Sequence, residues 1–400
     1  MTGLTSGSCS MEASKTGYNT TTKRVNVTPE LTNYTLYLDS EYNRSLTGRI
    51  VIADSDTNPT NNAPLANASV RLEKLSGDGY IGPNSNTKKI NTTTDANGNY
   101  TFSDIPAGHY SILISYTGYI STQQELTITN TGTTTYNIAI ELIPNEYIGK
   151  GFASGIITDA RTGAKVPGLT LKIYRNIRIG STEPASTPVC TLTTDANGAY
   201  RTEELDAGYY TIYIVDNRTD VTGSRYLLTS FPIKIIGNRV IANQNGVVST
   251  TLDQNQLRIV LTWGDTPSDL DSYLYVRSFT GSTLGYTSYK GETYYSGGTL
   301  VADLDLDDIT SFGPETTTIY NPVDAMYTFY VHDYTNRGNS SNTALSSSNA
   351  IVTVYSSNSS IPIAVFNVPT DQHGTVWKVF TYNNITGEIM GCQTISNSYN

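Results

Sequence analysis

The feature that most constrains this chain is an internal repeat. Thr93-Thr94-Asp95-Ala96-Asn97-Gly98-Asn99-Tyr100 recurs as Thr193-Thr194-Asp195-Ala196-Asn197-Gly198-Ala199-Tyr200. Ile105-Pro106-Ala107-Gly108-His109-Tyr110 recurs as Leu205-Asp206-Ala207-Gly208-Tyr209-Tyr210, and the offset is 100 residues in both places. Upstream, Gly48-Arg49-Ile50-Val51-Ile52-Ala53-Asp54 answers to Gly155-Ile156-Ile157-Thr158-Asp159, and Ala68-Ser69-Val70-Arg71-Leu72 to Leu169-Thr170-Leu171-Lys172-Ile173. A period this long describes one folding unit used more than once. Asp-Ala-Asn-Gly is turn chemistry, because Asp caps the turn and Asn-Gly tolerates positive φ. Ser111-Ile112-Leu113-Ile114-Ser115 and Thr211-Ile212-Tyr213-Ile214-Val215 are strand-like runs bounded by turn residues. Short strands with regular turn signals predict a β-sandwich.

Composition agrees. Of 400 residues only 15% are charged, and polarity comes from Ser, Thr, Asn and 30 Tyr. Tyr and Thr favour strands, so the composition is all-β. The net charge of -10 lacks the cations that phosphate backbones or anionic membrane surfaces attract. Cys9, Cys190 and Cys392 lie far apart, as do His109, His332 and His373. A zinc site needs about four such ligands, so none is expected, and the thiols read as buried and inert. An odd count leaves at least one thiol free or intermolecular. No apolar stretch approaches the roughly 18 residues of a membrane span. The opening residues lack the basic and apolar regions of a signal peptide. The chain is then either cytosolic or a piece of something longer, and the repeats favour the second.

The order G-x-(V/I)-x-D, A-x-V-x-L, T-T-D-A-N-G-x-Y, A-G-x-Y, G-Y resembles the carboxypeptidase regulatory-like family over about residues 45–145 and 150–255. The resemblance implies small seven-stranded, transthyretin-like sandwiches of Ig type. The second copy departs late, with an insertion after Asp216 and no equivalent of Gly118-Tyr119. The zinc ligands of the associated carboxypeptidases belong to a catalytic domain absent here. Related surface domains form Lys–Asn isopeptide bonds beside a strand Glu, which the strand after Ala107-Gly108 lacks. Leu4-Thr5-Ser6-Gly7-Ser8-Cys9-Ser10-Met11 aligns without a gap, 101 residues earlier, with Ile105 to Ile112, and Thr16-Gly17-Tyr18 falls on Thr117-Gly118-Tyr119. Residues 1–43 therefore read as the C-terminal strands of a further, incomplete repeat. Residues 44–146 and 147–255 read as two regulatory-like sandwiches, and 256–400 as a larger C-terminal sandwich. The short links at 144–151 and 252–257 are not Gly/Ser tethers, which predicts a stiff rod.

From Leu257 the pattern changes. The series L-T-W-x-x-x-x-S-D-L-D, G-G-x-L, G-P-E, W-x-V-F is similar to a bacterial family known only as a domain of unknown function. That family often follows tandem Ig-like repeats in secreted or surface proteins. Asp269, Asp271, Asp303, Asp305 and Glu315, with Asp307 and Asp308 close by, form an oxygen-only set that suits Ca²⁺. The alternative is a solvated acidic loop. Tyr286, Tyr289, Tyr294 and Tyr295 are a candidate aromatic platform for sugars, or strand tyrosines half-buried by their neighbours. Sequons occur at Asn19, Asn26, Asn33, Asn43, Asn67, Asn91, Asn99, Asn217, Asn339, Asn358 and Asn384. There is no G-x-S-x-G, H-E-x-x-H or P-loop, and His332-Asp333, adjacent on a strand, should point to opposite faces.

The combined expectation is a non-enzymatic structural component of an extracellular fibre, filament or surface stalk. Its sharpest form has protomers joining by β-strand complementation through the incomplete first repeat, an open head-to-tail contact. One alternative is a surface adhesin, with a glycan- or protein-binding module on an Ig-like stalk. Another is the accessory region of a secreted hydrolase.

Overall fold

The protein is described by a computed structural model over residues 6–15, 20–28, 34, 36, 38, 44–53, 63–75, 81, 87–128, 135–178, 182–219, 225–370 and 372–399. The fold is all β, a series of sandwiches. First along the chain, β1 (Gly7–Ala13) and β2 (Thr21–Val27) form an antiparallel hairpin with Gly7 opposite Val27 and Cys9 opposite Val25. Thr16, Gly17, Tyr18 and Asp54, all used in aligning the repeats, lie outside the described residues.

The first complete sandwich contains β3 (Arg44–Ile52), β4 (Ser69–Lys74), β5 (Lys89–Thr93), β6 (Asn99–Ile105), β7 (Gly108–Ser115), β8 (Thr122–Ile128), β9 (Thr135–Asn137) and β10 (Ile140–Leu142). β3 pairs antiparallel with β6 and parallel with β9 and β10, and the facing sheet runs β8-β7-β4-β5. The second contains β11 (Lys150–Asp159), β12 (Thr170–Arg175), β13 (Ile177–Arg178), β14 (Cys190–Thr193), β15 (Ala199–Arg201), β16 (Leu205–Asp206), β17 (Gly208–Val215), β18 (Thr229–Ile235), β19 (Val240–Ile241) and β20 (Gly246–Val248). It repeats the plan: β11 pairs with β15, β16, β19 and β20, and β14-β12-β17-β18 faces it.

The repeated motif residues have matching jobs in both copies. The Asp95 carboxylate accepts from the N–H groups of Asn97 and Asn99 at 2.9 and 2.8 Å, and Asp195 does the same for Asn197 and Ala199 at 2.8 and 2.9 Å. Gly98 and Gly198 close these turns at φ 78° and 67°, where a side chain is strained. Thr94 Oγ1 donates to Leu65 O and accepts from Ala68 N; Thr194 Oγ1 donates to Val166 O and accepts from Leu169 N. Tyr100 and Tyr200 send their hydroxyls across the sheet to Ile138 O and Gln244 O. Those rings lie over Gly48 and Gly155, where a Cβ would meet the same carbonyls at 1.9 and 2.1 Å. The first Gly of the motif is thus needed for close approach.

The C-terminal sandwich contains β21 (Leu257–Thr262), β22 (Leu270–Arg277), β23 (Thr283–Thr287), β24 (Thr293–Ser296), β25 (Thr299–Leu306), β26 (Glu315–Ile319), β27 (Met326–Asp333), β28 (Ile351–Ser356), β29 (Ala364–Asn367), β30 (Val376–Asn383) and β31 (Glu388–Ser396). A six-stranded sheet β24-β25-β26-β21-β28-β29 faces a five-stranded sheet β23-β22-β27-β30-β31. Between them lie Trp263, Leu274, Phe329, Trp377 and Phe380, all buried. Each large apolar side chain so buried contributes about 1.5–3 kcal/mol.

Candidate functional site

Three features carry chemistry or contact potential: an open strand edge, two joints between sandwiches, and an acidic group. The open edge belongs to β1. Adding 101 to its pairing with β2 reproduces the register of β7 with β8, in which Gly108 faces Ile128 and Ile112 faces Gln124. Gly7 and Gly208 share φ 150°. Val25 is buried, as is its counterpart Leu126, and Cys9 and Met11 on the same face are half-buried. The difference is on the other side. β7 is covered by β4, whose chain continues to donate Leu75 N to His109 O, whereas among the described residues β1 pairs with β2 alone. In an antiparallel ladder one residue's N–H and C=O point the same way. Ser8, Ser10 and Glu12, at the positions of His109, Ser111 and Leu113, therefore turn their backbone groups to the open edge.

The first joint is partly a sheet. Asn176, left-handed at φ 71°, turns the chain out of β12 and hydrogen-bonds to Tyr209 O. β13 then adds as a parallel strand to β8 of the preceding sandwich, with Ile177 opposite Gln124 and Arg178 opposite Glu125. The Arg178 guanidinium meets the Glu125 carboxylate at 2.7 Å. Beside it, Ala53 and Ile143 pack with Ile236 and Ile241. Glu141 accepts from Tyr209 and Lys234 at 3.0 and 2.8 Å. The second joint packs Ala160 against Val260 and Tyr355. Thr229 and Tyr355 share a hydroxyl hydrogen bond of 2.8 Å, and buried Arg258 donates to Ser249 Oγ at 2.8 Å.

The proposed acidic set divides between two places. Asp303 and Asp305 face the second joint: Asp305 accepts from Thr318 Oγ1 and Tyr320 OH and lies 3.6 Å from Arg161. Strand alternation puts them there, and the register shift of β25 between Leu304 and Leu306 turns the following chain elsewhere. Asp307 instead meets Asp271 and Glu315, and one oxygen of each lies within 4.8 Å of the others, an acidic triad able to hold a metal ion. Asp269 flanks it. Burial, then Asp271 and Asp307, push its carboxyl up to about 6. Burial also pushes Glu315 well above the usual carboxylate range. The register of β22 with β27 brings His332 opposite Asp271, with His332 Nδ1 3.7 Å from Asp271 Oδ2, while Asp333 holds Asn336. Strand alternation predicted opposite faces for His332 and Asp333, and they have different partners; that Asp271 is the cross-strand neighbour of His332 was not legible.

The four tyrosines do not form one platform. Tyr294 turns toward the core over Gly285, and its neighbour Tyr295 is 56% exposed. Tyr286 and Tyr289 instead join Tyr273, Tyr275, Tyr330 and Tyr399 on the outer face of the five-stranded sheet. Tyr286 lies on β23 of the five-stranded sheet and Tyr294 and Tyr295 on β24 of the six-stranded one, so the two pairs part between the sheets. All three cysteines are free thiols: Cys190 is buried, whereas Cys9 and Cys392 are only half-buried, on a hairpin with an open edge and on an edge strand. Asn26, Asn67, Asn91, Asn217, Asn339 and Asn358 are exposed; Asn99 and Asn384 are partly covered. Asn19, Asn33 and Asn43 lie outside the described residues.

Among the described residues no helix is long and apolar enough to cross a membrane. No curated protein matches the chain. Among solved structures it is similar to the Bacillus anthracis TIE protein, at 15% identity over 78% of this chain and 48% of that one, with a TM-score of 0.20. The chain thus spans about half the length of that protein. It is also similar to a streptococcal ancillary pilin, at 15% identity over 61% and 76% of the two chains and a TM-score of 0.20. The minor pilin GBS52 of Streptococcus agalactiae aligns at 13% identity over 52% and 97%, again with a TM-score of 0.20. Residues 55–141, which take in most of the first complete sandwich, match the carboxypeptidase regulatory-like domain family.

Proposed function

We propose that this chain is a non-enzymatic structural component of an extracellular fibre or surface stalk, and that copies join by adding a strand to the open edge of β1. The observation that carries this reading is the hairpin itself. It keeps the register and apolar face of β7–β8 but has no counterpart of β4 among the described residues. Two strands alone are marginal in water, and an exposed edge is a template for another chain. The same chain uses this device internally, where β13 extends the sheet at β8. The joints suit a load-bearing role, since apolar packing, ion pairs and a shared ladder resist bending together.

Negative-stain microscopy of the native chain tests this. Filaments are expected, and Ser10→Pro should return monomers, because it removes an N–H from the open edge and leaves the ladder to β2 in place. Wild-type protein that stays monomeric at high concentration, or filaments that survive the proline, would sink the reading. The aromatic outer face of the C-terminal sandwich supports one second reading, a glycan-binding stalk. Tyr286 there is 45% exposed beside Tyr275. Glycan-array binding by a chain that never self-associates would favour it.

A further inference from the structure

We propose that Asp271, Asp307 and Glu315 bind a calcium ion that ties the two sheets of the C-terminal sandwich together at one end. Asp271 belongs to β22 in the five-stranded sheet and Glu315 to β26 in the six-stranded sheet; Asp307 follows β25. Asp271 and Glu315 are 3% and 1% exposed. Asp271 Oδ2 and Glu315 Oε2 have no hydrogen-bond donor, although both are buried. Asp269 Oδ1, beside them, is equally without one. Among the described residues no Lys or Arg pairs with the three carboxylates, and His332 Nδ1 approaches Asp271 only to 3.7 Å, beyond hydrogen-bond reach. Buried carboxylates left this way repel one another and lack the compensation that buried charge requires.

The donor chemistry selects the ion. Calcium binds oxygen at about 2.3–2.6 Å, so two ligands across it stand up to about 5 Å apart. The 4.8 Å limit among these three oxygens fits one such ion. Magnesium demands near-ideal octahedral geometry at about 2.0–2.1 Å and keeps several waters, so it suits a cage of protein carboxylates less well. An oxygen-only set also disfavours zinc, which prefers nitrogen and sulfur. Ser272 N already donates to Glu315 Oε1 at 2.5 Å across the sheets. A cation on the remaining oxygens turns a repulsive contact into a clamp at the same place.

The chain's two tryptophans, Trp263 and Trp377, both lie in this sandwich. Tryptophan fluorescence of the full chain therefore reports its melting selectively. After stripping with EDTA, adding calcium to about a hundredfold excess over its dissociation constant should raise the midpoint on the order of 5–10 °C. Magnesium should do far less. Asp271→Asn combined with Glu315→Gln should melt cooperatively and show no calcium shift. Should that variant not fold, Asp307→Asn at the exposed member should weaken calcium binding about tenfold, read as displacement of terbium luminescence. A stripped wild-type chain whose midpoint ignores calcium overturns the proposal, as does an undiminished shift or affinity in these variants.

Discussion

At the scale of single residues, Asp269 links the acidic group to pH. Burial, Asp271 and Asp307 raise its folded-state pKa to about 6, from an ordinary 3.8. Asp308 adds to that rise and Arg337 opposes it. The folded chain therefore holds this proton more tightly than the unfolded one, so stability falls as pH rises from about 4 to about 6. The upward shifts of Asp307 and Glu315 act in the same direction. With chelator present, the tryptophan-detected melt should be higher at pH 5 than at pH 7, and Asp269→Asn should flatten the difference. A melt that rises with pH would contradict this. Much at this scale was readable beforehand. Asp95 and Asp195 cap their turns, and Gly98 and Gly198 carry positive φ, because turn chemistry depends on neighbours two to four residues away. The use of Gly48 and Gly155 was not readable, since the carbonyls that exclude a Cβ there come from Ile138 and Gln244.

At the scale of elements, β13 is the informative one. It is two residues long and shows no alternation, so periodicity gave no sign of it. Its place comes from the left-handed turn at Asn176 and from the open side of β8 in the sandwich before it. Arg178 and Glu125 are the charged pair in that contact, both largely buried. Arg178→Glu puts like charges opposite each other, which is unfavourable across paired strands. Amide exchange along Thr122–Ile128 should quicken about tenfold on the side facing β13, while the β12–β17 ladder keeps its protection. Unchanged exchange would mean that the backbone pairing holds without the ion pair. The acidic set shows the same limit. Asp303 and Asp305 part from Asp307 at a register shift that no hydrophobic pattern records.

For the whole molecule, the joints decide whether the sandwiches form a rod or a string. Ile236 is fully buried in the first joint with Ile143. Ile236→Ala should cost about 2–5 kcal/mol by cavity formation. Because that loss falls on the joint, small-angle scattering should show a broader distribution of end-to-end distances; an unaltered profile would show that the pairing of β13 with β8 is enough to hold the two sandwiches together. The amino-acid order by itself determined the β class, the repeated unit and its turns, and the short links between units. These rest on alternation and on hydrogen bonds closed within a few residues. Tertiary structure alone decided which carboxylates meet, which tyrosines share a face, where β13 docks and which edge of β1 is left unpaired among the described residues. Asp271 and Glu315 come from opposite sheets, and their approach depends on sheet stacking and bulges, quantities that a periodic pattern of side chains does not carry.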